Sequence, residues 1–77
     1  MQLGFISNNI KTGTLVNAGD AIIYADSYGG GGGRQYFRDD PIYIVLKQLR
    51  GYVLVRHHSL SEGYTGWFKE HDLTIID

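Results

Sequence analysis

Residues 42–58 read Ile42-Tyr43-Ile44-Val45-Leu46-Lys47-Gln48-Leu49-Arg50-Gly51-Tyr52-Val53-Leu54-Val55-Arg56-His57-His58. β-Branched and aromatic residues dominate both halves, as a pleated, half-buried surface requires. The interruption Gln48-Leu49-Arg50-Gly51 marks a short connection between two strands, Ile42 to Lys47 and Tyr52 to His58. Strict alternation then predicts a hairpin with Ile42, Ile44 and Leu46 on one face, and Val53 and Val55 facing the same core. Tyr43 and Val45 fall on the opposite face in this reading. Pro41 immediately precedes the first strand, a position where its missing N–H does no harm.

Working outward, the remaining segments are short and separated by turns. Ser59-Leu60-Ser61-Glu62-Gly63 is a turn, and Tyr64 to Phe68 a short strand. Glu70-His71-Asp72 suits a single 3₁₀ turn, and Leu73 to Ile76 a last strand. Towards the N-terminus, Ala21-Ile22-Ile23-Tyr24-Ala25 reads as a strand. Leu3 to Ser7 and Ile10 to Val16 flank the turn pair Asn8-Asn9, so residues 1–12 form an extra N-terminal strand or hairpin. Between Ser27 and Phe37 lies a glycine-rich loop containing Gly29 to Gly33. Five glycines in a row offer no side chain to pack and lose the most entropy on ordering, which predicts a flexible connection.

The chain has 77 residues, enough for one domain with one compact core. It carries six Tyr, three Phe, one Trp and eleven Gly, but a single Pro and no Cys. Disulfides and thiolate metal sites are therefore excluded. Helix periodicity with start and stop signals is missing. The expectation is an all-β fold: a small SH3-like barrel of five to seven short antiparallel strands with one long glycine-rich loop.

Seven Lys and Arg meet eight Asp and Glu, a net charge of −1. That balance disfavours nucleic acid and gives no polybasic membrane anchor. Were nucleic acid the partner, Arg34, Arg38, Lys47, Arg50 and Arg56 with the interleaved tyrosines would be the surface. No apolar run is long enough to span a bilayer, and the first nine residues lack the pattern of a signal peptide. The chain reads as cytoplasmic as synthesised, with extracellular action only after lysis, particle assembly or another form of export.

Residues 51–73, GYVLVRHHSLSEGYTGWFKEHDL, carry a family resemblance. The pair Gly51-Tyr52 opens a strand containing Val53 and Val55. Gly63-Tyr64-Thr65-Gly66-Trp67-Phe68 supplies a Gly-x-x-Gly-Trp element followed by an apolar residue, and Leu73 closes it. This pattern resembles the C-terminal half of the bacterial SH3-like (SH3b) domain family, and the resemblance covers residues 13 to 77. The chain departs from the family where Tyr24-Ala25-Asp26-Ser27-Tyr28-Gly29 replaces an Asn-Val-Arg-x-Gly-Pro-type run. It departs again where Asp39-Asp40-Pro41 replaces a Gly-x-x-Val turn.

The resemblance implies a non-catalytic binding module that recognises cell-wall peptide or glycan. Aromatic anchors suit such ligands. Tyr24, Tyr28, Arg34, Tyr36, Tyr43, Tyr64 and Trp67 are the candidate binding residues, with Tyr28 and Tyr36 favoured because they flank the glycine loop. Tyr52 and Phe68 are assigned to the core. The competing reading is a small intracellular or phage-encoded interaction protein, with a homodimer formed through the N-terminal strand.

No catalytic residue, cofactor or metal is expected. The glycine loop lacks the Gly-Lys-Ser/Thr that a phosphate-binding loop places at a helix start. His57 and His58 are adjacent on a strand and point to opposite faces, so they read as a surface pair rather than a chelate. Ser59 and Ser61 lie near these histidines without a nucleophile elbow. Glu70-His71-Asp72 reads as a solvated turn.

Overall fold

The computed structural model describes residues 10–76. It is all-β, with five antiparallel strands in one sheet and a single 3₁₀ turn among the described residues. The strands are β1 (Leu15–Asn17), β2 (Ile42–Leu49), β3 (Tyr52–His57), β4 (Thr65–Lys69) and β5 (Thr74–Ile75). The 3₁₀ turn, Glu70–Asp72, lies between the last two. Their order across the sheet is β4-β3-β2-β1-β5. The expected segment Leu3 to Ser7, and the dimer drawn from it, lie outside the described residues. Ile10 is buried, and its carbonyl accepts a hydrogen bond from Gln48 Nε2.

The β2–β3 hairpin turns on Arg50 and Gly51, with φ of 44° and 86°. Positive φ at both central residues is the requirement of a type I′ turn, whose twist matches that of the flanking strands. Leu49 is paired with Tyr52, Gln48 with Val53 and Lys47 with Leu54. Continued without interruption, this register would place Leu46 opposite Val55. Instead Val45 lies opposite Val55, and Leu46 is the extra residue of a β-bulge.

That one-residue slip exchanges the two faces of β2. Tyr43 and Val45, not Ile42, Ile44 and Leu46, share the core with Val53 and Val55. Alternation alone could not separate the two phases, because both sets of β2 side chains are apolar.

The segment Ala21 to Ala25 is not a strand in a ladder, as the sequence led us to expect. It makes two isolated bridges, Ile23 with Gly33 and Tyr24 with Trp67. Adjacent residues of an extended chain direct their polar groups to opposite sides, so Ile23 bonds the glycine loop while Tyr24 bonds β4. Both bridges are reciprocal, at 3.0 Å each for Ile23–Gly33 and at 2.7 and 2.9 Å for Tyr24–Trp67. Tyr24 follows β1 by only seven residues, yet it reaches the edge strand β4 across the sheet. The sheet is therefore curled into a barrel-like form.

The core consists of Ile10, Val16, Ala18, Tyr43, Val45, Val53, Val55 and Phe68, with Ala21, Ile23, Tyr64 and Leu73 packed against it. Each fully buried Val or Phe side chain contributes about 1.5–3 kcal/mol. Gly66 permits β4 to pass under the extended segment. A Cβ there would stand 2.5 Å from Cδ1 of Ile23.

Candidate functional site

The glycine loop is held at both ends by side chains. At its start, Asp26 Oδ1 accepts hydrogen bonds from the N–H groups of Tyr28 and Gly30, both at 2.9 Å. These two donors hold the Asp26 carboxyl below its ordinary value, Gly30 contributing most. The Ala25 N–H donates to the Gly30 carbonyl at 2.8 Å. Gly31 has a φ of 65°, and a Cβ there would meet that of Ala25 at 2.8 Å.

At its other end, Gln35 is buried. Its Nε2 donates to the carbonyls of Gly19 and Ala21, at 2.8 and 3.0 Å. Its Oε1 accepts from the Tyr43 hydroxyl at 2.8 Å. Gln35 was missed in the sequence reading, since nothing in its neighbourhood marks a polar side chain as internal.

The candidate binding residues separate into two groups. In the first, Tyr24 packs edge-on against Tyr52 with ring centroids 5.9 Å apart. Tyr28 is 74% exposed and lies under the Arg50 guanidinium, 4.3 Å from its carbon to the ring centroid. Arg50 also donates from Nη1 to the buried Ser27 hydroxyl at 3.1 Å. The Lys69 ammonium stands 5.8 Å from the Tyr24 ring centroid. This group combines aromatic faces with two cations contributed by the β2–β3 turn and the end of β4.

In the second group, Tyr36 is 79% exposed, and its N–H donates to the Tyr64 hydroxyl at 3.1 Å. Phe37 packs edge-on against both tyrosines, with centroids 4.9 Å from Tyr36 and 5.2 Å from Tyr64. The opposite side of this cluster is buried, where Phe37 stacks on the His57 ring at 3.8 Å and 17°. Tyr36 therefore projects from a supported base rather than from a free loop.

The other candidates fall elsewhere. Tyr43 is fully buried, packed edge-on against His57 and Phe68, with its hydroxyl on Gln35. Burial above all, with help from the neighbouring Tyr64 and Asp40, pushes its hydroxyl pKa up. Its removal from the surface follows directly from the bulge that exchanges the faces of β2. Trp67 is half-buried opposite Leu54, next to the fully buried Phe68. Arg34 is exposed, beside the Ile23–Gly33 bridge. Tyr52, assigned to the core from sequence, is half-buried and belongs to the first group.

The histidines depart furthest from expectation. His57 faces the core and is 1% exposed, while His58 is exposed. Their Nε2 atoms nonetheless converge on Asp40. His58 Nε2 lies 2.8 Å from Asp40 Oδ2. His57 Nε2 lies 2.7 Å from the Asp40 carbonyl oxygen and 3.8 Å from Oδ2. The end of β3 curves into a turn, so the opposite-faces rule for a flat strand no longer separates the two side chains.

Among the described residues no buried side-chain polar atom lacks a partner, and no helix is long and apolar enough to cross a membrane. Comparison with protein-family models, with curated proteins and with solved structures gave no match to this chain.

Proposed function

We propose that this domain is a non-catalytic binding module of the bacterial SH3 type, with cell-wall peptide or glycan as its ligand. The observation that carries the reading is the exposed Tyr36 ring, seated on Tyr64 and Phe37, whose base continues into the core through His57. A large, rigid aromatic surface offers contact area at small conformational cost, which is what a peptide or sugar ring needs from its receptor. Tyr28 with Arg50 forms a second exposed aromatic, this one charged. It suits the carboxylates of a peptide stem as well as a sugar face. The Gly-Trp element at Gly66-Trp67 and the strand Gly51-Tyr52-Val53 supply the family likeness on which the ligand class rests.

The test is co-sedimentation of the purified protein with insoluble bacterial cell walls at low and moderate salt. Pelleting that survives the higher salt, and is lost in Tyr28→Ala and Tyr36→Ala, supports the proposal. Both rings are mostly exposed, so these variants are expected to keep the fold. A wild-type protein that stays in the supernatant with several wall types overturns the ligand assignment. Pelleting that vanishes at moderate salt identifies charge attraction without specific recognition.

A further inference from the structure

We propose that Asp40, His57 and His58 form a binding site for a divalent transition metal of the zinc type. The three side chains offer two imidazole nitrogens and one carboxylate oxygen, all within 4.8 Å of one another. Zinc holds such donors at about 2.0–2.2 Å, which places the ligands of a tetrahedral site roughly 3.3 Å apart. The His58–Asp40 and His57–Asp40 separations, 2.8 and 3.8 Å, bracket that spacing. Two nitrogens and one oxygen suit zinc, nickel or copper better than calcium or magnesium, which prefer all-oxygen shells.

The surroundings of His57 supply what a ligand histidine requires. Its ring is fixed by stacking on Phe37 and by the edge of Tyr43. Its Nδ1 lies 2.8 Å from the Ser59 hydroxyl. Without metal, Nε2 carries the proton and donates to the Asp40 carbonyl, while Nδ1 accepts from the Ser59 hydroxyl at 2.8 Å and from the Ser59 N–H at 3.3 Å. With metal, the proton resides on Nδ1 and is donated to Ser59 Oγ, and the Ser59 N–H gives up its bond to that nitrogen. The Asp40 carbonyl turns away from Nε2, so that the Nε2 lone pair can meet the ion. Ser59 thus acts as the outer partner that orients a metal-bound imidazole.

Three protein ligands leave a fourth position open. Asp40 and His58 are partly exposed, at 52% and 38% of their side chains, so that position faces solvent. The bound ion would join the segment before β2 to the end of β3. It would also steady the Phe37–Tyr64 cluster, because the Asp40 N–H donates to the Phe37 carbonyl at 3.0 Å. The site stands on its own donors and does not depend on the wall-binding proposal.

The test is calorimetric titration of EDTA-treated, dialysed protein with zinc chloride at pH 7.5, alongside thermal unfolding with and without zinc. One ion per chain and a higher Tm in zinc are expected. Asp40→Asn and His58→Gln, both at exposed positions, should keep the fold by circular dichroism and weaken zinc binding by tenfold or more. Ser59→Ala should weaken it by about tenfold. His71→Ala is the control, since His71 Nε2 lies 3.6 Å from Asp72 Oδ1 in a separate exposed pair. No saturable binding at micromolar zinc overturns the proposal. So does binding that persists in Asp40→Asn and His58→Gln, or is lost only in His71→Ala.

Discussion

The Tyr43 hydroxyl donates a 2.8 Å hydrogen bond to Oε1 of Gln35, joining the middle of the sheet to the end of the glycine loop inside the core. Both residues are buried, so neither polar atom has water as an alternative partner. Tyr43→Phe leaves Oε1 unpaired and is expected to cost about 1–3 kcal/mol, read as a lower urea midpoint with an unchanged slope. A double-mutant cycle with Gln35→Leu should give a coupling of at least about 0.5 kcal/mol. Additivity within error would mean that the bond does not hold the loop.

Asp26 makes the loop sensitive to acid. Two backbone N–H groups stabilise its ionised form, so its folded pKa lies below the unfolded value. The sign follows: its stabilisation is fully present above the unfolded pKa and is lost as pH falls through the folded one. Asp26→Asn should flatten that part of the stability–pH curve while keeping an acceptor for the turn. A curve of unchanged slope through the acid range would show that the carboxylate is not what titrates.

Two glycines should respond oppositely to alanine. At Gly66 the new methyl meets the Ile23 side chain at 2.5 Å in a buried position, and overpacking of this kind costs about 1–3 kcal/mol. At Gly33 nothing lies within 4 Å of the added Cβ, and φ is outside the left-handed region. Gly33→Ala should leave stability unchanged or raise it by about 0.4–1 kcal/mol through the unfolded chain. Equal losses at both sites in thermal unfolding would contradict the close approach of β4 to the extended segment.

Arg50 is the one non-glycine residue with positive φ among those described. Arg50 already adopts that conformation despite its Cβ, and Arg50→Val places a β-branched side chain there, which tolerates it less, so the hairpin should be destabilised. Arg50→Asn creates the Asn-Gly pair that type I′ turns favour, so the turn itself should be unharmed. The asparagine variant separates the turn from the cation above Tyr28. Wall pelleting should fall in Arg50→Asn even where chemical denaturation shows an intact fold.

Much of the strand pattern was legible, because β-branched runs punctuated by glycine turns allow few other readings. The strand from Ile42 begins where Pro41 placed it, and Glu70–Asp72 forms the expected 3₁₀ turn. The β2 faces were not legible. The connection expected over Gln48 to Gly51 is shorter in the structure, where β2 runs on to Leu49 and Arg50-Gly51 form the turn. That difference preserves the phase, but omitting the bulge at Leu46 inverts it for every residue before the bulge. That omission carried Tyr43 into the list of surface aromatics.

The pairing of Tyr36 with Tyr64 was only half visible: both were candidates, but their 28-residue separation hides the contact. The convergence of His57 and His58 on Asp40 was hidden for a different reason. Strand periodicity describes β3 up to His57 and fails at the turn that follows.

The position of β1 has a consequence for how the chain is made. Three residues, Leu15 to Asn17, pair with β2 on one side and with β5 on the other, so Val16 lies opposite Ile75. The β2–β3–β4 meander can assemble once residue 69 has left the ribosome, but β5 has no partner other than β1 in the sheet. One edge of β1 therefore stays open until the last strand arrives, although its other edge can already pair with β2. A nascent chain halted before residue 74 should be more open to protease around Leu15 to Asn17 than one that includes β5, and protection there should rise once residue 76 emerges.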